Sequence, residues 1–502
     1  MSEAAAIPAP PRDQRLHPWS WLFVLLQQLK QFLLPLLVLV VFGGRDGERD
    51  DYDNIATLVV MAILVGVSLV RYLTYRYRIG SDGLSIRSGL FNRTRREIPF
   101  ARIHNVVVHQ SLLHRMFGVA ELRLESAGGA KPEAQMRVLR LDQALALEQL
   151  VRHRGQATPG QSTEASDSTT LLTLPPGEIV RLGLISNRGM IAMAATAGAA
   201  YQMFPQKMVA DAIEDYGQQV FGYASQLHMG WLASLITAAS LLVWAIALLR
   251  VLSIALAAVQ YHGFRLSESE RRLTVERGLL ARVRTSAARR RIQSWTLREG
   301  VLHRWFGRRS LGIDTAVVEA QGDQGRSIRE LVPVATPDTC DALVRHVLPG
   351  VQWPPSQWQA VPLRHWWRLC LWPLCWLVLA TAALWPLVGA FALLVLLWLP
   401  WSAFKAHRQV RRMGWSVDER LVSVRGGWWM RWWRFAEIDK LQALRLSRSP
   451  LDRRCGTASL LLDTAGASGD GPRLKLRLVP VEQARALHDQ LSRTLARRRL
   501  RW

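Results

Sequence analysis

Cysteine is scarce in this 502-residue chain: there are four, Cys340, Cys370, Cys375 and Cys455. None forms a CxxC pair and no histidine stands at ligand spacing beside them, which argues against a zinc site or a disulfide framework. Free thiols fit a reducing cytoplasm. The familiar enzyme motifs are missing too: there is no P-loop, GxSxG, HExxH or Rossmann fingerprint. Acidic side chains are absent from every long apolar run, although a proton- or ion-coupled transporter usually needs one there. A signal peptide is not expected. Met1–Arg15 is rich in Ala and Pro, and the apolar run after it, Trp19–Phe42, is too long and has no small-residue cleavage site behind it.

What the chain does contain is apolar sequence in three clusters, residues 19–73, 182–259 and 366–404. About 20 apolar residues cross a bilayer core. The first cluster reads as two spans, Trp19–Phe42 and Ile55–Leu73, joined by an acidic loop that carries Asp46, Glu48, Asp50, Asp51 and Asp53. The second reads as Gly189–Phe204 and Trp231–Val259, again around an acidic loop. The third reads as Trp366–Leu384 and Pro386–Phe404, a tight or re-entrant hairpin with Trp385-Pro386 as its turn. Arg12 and Arg15 before the first span, and Arg71, Arg76 and Arg78 after the second, place both ends in the cytoplasm by the positive-inside rule. Arg250 lies inside a span but near its cytoplasmic end, where it can snorkel or find a partner.

The net charge of +25 sits between these clusters, not in them. Residues 72–154 carry net +7, residues 260–348 net +6 and residues 405–502 net +13. Such blocks beside a membrane fix orientation and favour anionic headgroups. Nucleic acid is set aside as a partner.

The three basic blocks align. Ile103-His104-Asn105, Ile292-Gln293-Ser294 and Leu441-Gln442-Ala443 correspond, and a glycine follows 15 residues after the first of each: Gly118, Gly307 and Gly456. Before it stand Leu113-His114-Arg115, Leu302-His303-Arg304 and Leu451-Asp452-Arg453; after it comes an alternating strand. Each block opens with hairpin grammar and ends in a helical stretch. Boundaries follow: an N-terminal segment 1–18, hairpins at 19–73, 182–259 and 366–404, β-domains at 74–154, 260–349 and 405–502, a flexible linker at 155–181 and another linker at 350–365.

This pattern, with Arg15-Leu16-His17-Pro18 before the first span and the Leu-His-Arg…Phe-Gly turns at Leu113–Gly118 and Leu302–Gly307, resembles the bacterial membrane-flanked pleckstrin-homology family, the YdbS/YdbT-like group. The third block departs from it, with Asp452 in place of the histidine and Cys455 in place of the Phe. The resemblance implies an α+β membrane protein of about six transmembrane helices in three hairpins, each followed by a PH-like split β-barrel with a C-terminal helix. It implies the bacterial inner membrane, with both termini cytoplasmic, and no catalytic residues.

The candidate contacts are therefore with lipid. Arg95 and Arg96 follow the first hairpin turn, Arg289, Arg290 and Arg291 precede the second anchor, and Trp428, Trp429, Arg431, Trp432, Trp433 and Arg434 surround the third turn. Indoles at the boundary with guanidinium groups on phosphates suit a headgroup surface, and packing of the Trp residues on the neighbouring hairpin or another unit is the rival reading. His114 and His303 read as turn histidines. The expectation is a non-enzymatic scaffold without cofactor or metal that contacts anionic lipids or recruits a protein. The alternatives are a protein-binding module using barrel edge strands and a component of a transport system.

Overall fold

The computed structural model describes, with brief gaps, residues 73–126, 134–154, 169–203, 230–315, 330–465 and 472–497, with scattered residues in 14–70 and 208–215. The expected spans at 19–42 and 55–73 lie mostly outside the described residues. The chain divides into two compact units, Met1–Ser269 with Thr274–Ser286, and Glu270–Leu273 with Ala287–Trp502.

The described strands fall into three sets of seven. The first set is β1 (Gln14–Arg15), β2 (Arg76–Ile79), β3 (Gly83–Ser88), β4 (Thr94–Pro99), β5 (Ile103–Gln110), β6 (Val119–Ser126) and β7 (Ala134–Arg140). The second is β8 (Thr169–Thr173), β9 (Arg265–Ser269), β10 (Arg272–Arg277), β11 (Arg282–Ala288), β12 (Ile292–Glu299), β13 (Arg309–Thr315) and β14 (Glu330–Ala335). The third is β15 (Gln359–Ala360), β16 (Gly414–Val417), β17 (Leu421–Gly426), β18 (Arg431–Glu437), β19 (Leu441–Ser447), β20 (Thr457–Thr464) and β21 (Lys475–Pro480). The first strand of each set lies upstream of the apolar cluster. In the second repeat β8 pairs with β9 across helices Pro176–Ile185, Arg188–Met203 and Gly230–Tyr261. Residues 169–173 and 359–360, assigned from sequence to linkers, are thus strands that fasten the chain entering the apolar segment to the chain leaving it.

Within the first repeat two sheets face each other. Tyr77, Leu84, Ile86 and Ile98 from one meet Val106, Val108, Leu122, Leu124 and Met136 from the other. Helix Leu141–Arg154 closes the sandwich with Ala144, Leu147 and Val151. The third repeat repeats the arrangement, with Val422, Val424, Leu460, Leu462 and Leu476 closed by Ala484, Leu487 and Leu491 of helix Val481–Ala496. The glycine shared by the three anchors has a plain cause. A short helix (Leu112–Met116, Val301–Trp305 or Pro450–Cys455) must reverse into a strand, and Gly118, Gly307 and Gly456 take φ of +63°, +60° and +64° to do so.

Sheets continue from one repeat into the next. In the first unit one sheet runs β1-β2-β3-β4 and the other β7-β6-β5-β11-β10-β9-β8; in the second unit one runs β14-β13-β12-β18-β17-β16-β15 and the other β19-β20-β21. The fifth strand of one repeat takes the fourth strand of the following repeat on its open edge, β11 on β5 and β18 on β12.

Among the described residues two helical stretches, Leu235–Tyr261 and Leu363–Arg412, are long and apolar enough to cross a membrane. They expose large side chains such as Leu242, Val243, Trp244, Leu387, Phe391 and Leu397, which a lipid surround accommodates. The second stretch doubles back. Cys370 Sγ lies 3.9 Å from the Ser402 carbonyl and the Trp366 and His407 rings are 6.0 Å apart, so its two ends meet. Its turn is not Trp385-Pro386 as the sequence suggests. Pro386 stays inside helix Leu371–Val388, and Gly389, with φ of +55°, breaks it because only glycine enters that region freely.

In the second hairpin the partners of Arg250 among the described residues are backbone carbonyls, not a carboxylate. Its Nη1 donates to the carbonyls of Leu184 and Ser186, 2.9 and 3.3 Å away, and satisfies the end of helix Pro176–Ile185. The helices approach closely at Gly183 and Gly189. A Cβ on Gly183 would sit 2.5 Å from the Ile254 Cα, and one on Gly189 would overlap the Leu249 carbonyl. Gly189→Val will therefore separate the helices and cost about 1–3 kcal/mol. A disulfide between Ser186→Cys and Ser253→Cys, whose hydroxyls are 3.0 Å apart, will form in the Gly189 chain and fail in the variant.

Candidate membrane-surface site

The third repeat holds a cavity of about 360 Å³ at the foot of helix Trp398–Arg412. Gln409 and Met413 reach it from that helix end, Trp415 from β16, Val424 and Arg425 from β17, and Trp432 from β18; Arg473, Lys475, Leu476 and Arg477 come from β21 and the residues before it. The reason lies in the strand pattern. In Arg473-Leu-Lys475-Leu-Arg477-Leu, Leu474 and Leu476 enter the core while Arg473 and Arg477 stay exposed, so period-two alternation gathers the cations on one side. Arg425 joins them from the facing sheet, its guanidinium 4.6 Å above the Trp358 ring and its Nε buried without a hydrogen-bond partner.

Among the described residues no acidic side chain lines this cavity. Burial lowers the Arg425 pKa. Burial also lowers that of Lys475, and the neighbouring Arg477 and Arg473 push it in the same direction. Four cations around one cavity repel one another, and an anion that enters relieves the repulsion. Guanidinium pairs with an ammonium and indoles nearby suit a phosphate group carried on a partly apolar molecule.

Beside the cavity the β17–β18 turn meets the membrane hairpin. Trp428 packs edge-on against Phe404 at 5.2 Å and Trp401 at 5.9 Å, and Trp429 stands 5.6 Å from Trp428. Trp429 and Met430 remain more than half exposed. These rings form an aromatic cluster of the kind that settles at headgroup depth.

The other sequence candidates divide. Trp432 lines the cavity. Trp433 is held between Arg309 and Arg412, with guanidinium carbons 4.7 and 5.2 Å from its ring. Arg431 pairs with Glu299 at 3.3 Å. Arg434 is 3% exposed and pairs with Asp314 at 2.6 Å across the seam where β12 occupies the edge of β18, so it cannot reach a headgroup. Arg289 donates to the His346 and Val347 carbonyls and caps helix Pro337–Val347. Arg291 is half-buried, Arg290 is exposed, and the Arg290 carbonyl accepts from Lys440. Arg95 and Arg96 are exposed on β4, where Arg95 pairs with Glu97 at 2.7 Å. Sequence reasoning missed Arg473, Lys475 and Arg477, although the alternation in β21 carries the signal.

His114 Nδ1 lies 2.6 Å from Ser111 Oγ, and its ring packs at 4.2 Å on Phe23. Burial lowers the His303 pKa against the opposing charge of Glu299. Cys340 is buried, which pushes its thiol up to about 12. Among the described residues no group of three or more His, Cys, Asp or Glu side chains could hold a metal ion.

Comparison with known proteins gives consistent results. The sequence profile of the bacterial PH domain matches three times, at residues 24–155, 223–346 and 374–495. The UPF0699 transmembrane protein YdbT of Bacillus subtilis (strain 168) is 23% identical over 309 residues. That region is 59% of this chain and 61% of the relative, so the match spans about three fifths of the relative's length. No solved structure matches.

Proposed function

The chain belongs to the bacterial PH domain family, in a YdbT-like arrangement of three repeats in a membrane protein, and from that premise we propose that it is a non-enzymatic scaffold whose third repeat holds the headgroup of an anionic phospholipid. In this reading three hairpins, about six helices in all, carry the repeats on the cytoplasmic face of a bacterial inner membrane, with both termini on that side. The carrying observation is the cavity of about 360 Å³ with Arg425, Arg473, Lys475 and Arg477 around it and, among the described residues, no carboxylate in its lining. Its place at the foot of a membrane helix supports a lipid as the source of the phosphate. Weak single contacts suffice, because tethering holds each repeat at high effective concentration beside the bilayer.

The test uses the full chain in detergent with short-chain phosphatidylglycerol, followed by native mass spectrometry. Arg473→Gln, Lys475→Gln and Arg477→Gln together will weaken binding on the order of 100-fold, at roughly 1 kcal/mol for each basic residue. Binding of a zwitterionic lipid of equal chain length will not change. Equal binding of the two lipids by the unaltered chain would remove the proposal. Full competition by inorganic phosphate would reassign the cavity to a soluble anion.

A further inference from the structure

The sheet order leaves two strands where an internal partner is expected by analogy. In the second and third repeats the fourth strand lies on the fifth strand of the repeat before it. β11 lies on β5 and β18 on β12. Among the described residues β4 ends its four-stranded sheet and β19 ends its three-stranded sheet. These two edges are complementary by construction, because the molecule already joins their counterparts twice.

The internal seam fixes the register. Trp295 faces Phe435, Thr296 faces Arg434, Leu297 faces Trp433 and Arg298 faces Trp432. Sheet pairings make the positions equivalent. Leu84↔Ile98 and Ile86↔Arg96 correspond to Val422↔Ala436 and Val424↔Arg434. The bulged pair Ser294↔Asp314 corresponds to Ala443↔Asp463. Leu444 of one chain would therefore face Glu97 of another, Arg445 would face Arg96, and Leu446 would face Arg95. Pro99 falls outside the paired stretch, so its missing N–H removes no bond.

The charges at the key position agree. At the β12–β18 seam Arg434 reaches Asp314 at 2.6 Å. Arg96 occupies the Arg434 position on β4 and Asp463 the Asp314 position on β20, and both are exposed. On β19 Gln442, Ala443 and Arg445 are exposed and Leu444 and Leu446 half-buried, whereas β12 is covered except at Gln293 and Arg298. We propose that β19 of one copy pairs antiparallel with β4 of a second copy, joined by Arg96 to Asp463, so that the repeat array continues from chain to chain. The contact is head-to-tail and closes into rings or extends into filaments in the membrane plane. One feature opposes it: Arg445 faces Arg96 where Thr296 faces Arg434. This makes the contact reversible and salt-dependent, and it supplies a test. The proposal stands on the sheet edges alone and is independent of lipid binding.

Two full-length copies with different tags, one bearing Glu97→Cys and the other Leu444→Cys, are coexpressed and treated in native membranes with a short bismaleimide. A mixed dimer will form, and neither variant expressed alone will give it. Asp463→Arg in the second copy will abolish the product, and Arg96→Asp in the first will restore it. Arg445→Thr will raise the yield. An internal pair, Arg298→Cys with Trp432→Cys, reports that the chain is folded and the reagent effective. If that internal link forms and no mixed dimer appears, the proposal is wrong. It is equally wrong if Leu444→Cys links to a different protein, or if the charge reversal fails to restore the product.

Discussion

Replacing Asp452 with alanine will destabilise the third repeat by about 3–5 kcal/mol, the cost of leaving one partner of a buried ion pair alone. Asp452 is 5% exposed. Its Oδ1 accepts from Arg368 at 2.7 Å and from Thr457 at 2.8 Å. Its Oδ2 accepts from the Ser449 backbone at 2.9 Å and hydroxyl at 2.7 Å, completing a capping box at helix Pro450–Cys455. Arg368 belongs to the turn Leu363–Leu369 at the start of the apolar stretch Leu363–Arg412, so this carboxylate ties that stretch to the β-domain. The double variant Arg368→Leu with Asp452→Leu will recover most of the loss, since neither side chain is then left charged and unpartnered. Denaturant unfolding of the full chain in detergent measures both; equal losses in the single and double variants would refute the ion-pair explanation.

The same group sets an acid limit. Burial alone would raise the Asp452 pKa, but hydrogen bonds from Ser449, Arg368 and Thr457 outweigh it and hold the carboxyl at about 2, below the ordinary 3.8. A lowered folded-state pKa gives stability that is present above the unfolded value and disappears as pH falls toward the folded one. The contribution is therefore complete at neutral pH and disappears between about pH 4 and pH 2. Asp452→Asn, which cannot ionise, will flatten stability across that window.

Asp452 also shows how far the sequence could be read. The alignment of Leu451-Asp452-Arg453 with Leu113-His114-Arg115 was visible, and so was the substitution. Its meaning was not. In the first repeat His114 packs on Phe23, from the start of the first apolar cluster, and in the third Asp452 pairs with Arg368. One position fastens the apolar segment to its domain by two chemistries, and only folding brings residues 84 positions apart together. Local features were legible for the same reason in reverse. The anchors, the turn glycines and the alternating strands are set by neighbours a few residues away. The two-residue β15 carries no alternation, and its pairing with β16 depends on a return of some 50 residues. The cavity cations on β21 were hidden because their partner Arg425 is on another sheet, and the Trp-Arg run around residue 430 left membrane contact and packing both open because its burial depends on β12.

Arg434 tests that last point. Arg434→Met will open the β12–β18 seam and cost about 3–5 kcal/mol, although the residue lies in a stretch whose composition resembles a membrane surface. Its Nη2 donates to Asp314 at 2.6 Å and its Nη1 to Thr296 at 3.4 Å. Burial lowers its pKa and the Asp314 charge and hydrogen bond oppose the shift. Removing the cation leaves Asp314 without its main partner beside Ser294, whose hydroxyl still donates at 2.8 Å. Arg434→Lys will recover part of the loss, since an ammonium keeps the charge but cannot span Asp314 and Thr296 with a planar fork. Arg434→Met with Asp314→Asn will recover more, because the unpartnered charge itself is gone. Hydrogen exchange resolves the effect by place: amides of residues 295–299 and 431–435, which bond across the seam, will exchange faster, while those of β20 and β21 in the separate three-stranded sheet keep their rates. A headgroup-contacting arginine would give the opposite pattern, with unchanged seam exchange and altered lipid binding. The experiment therefore separates the two readings of the same residue.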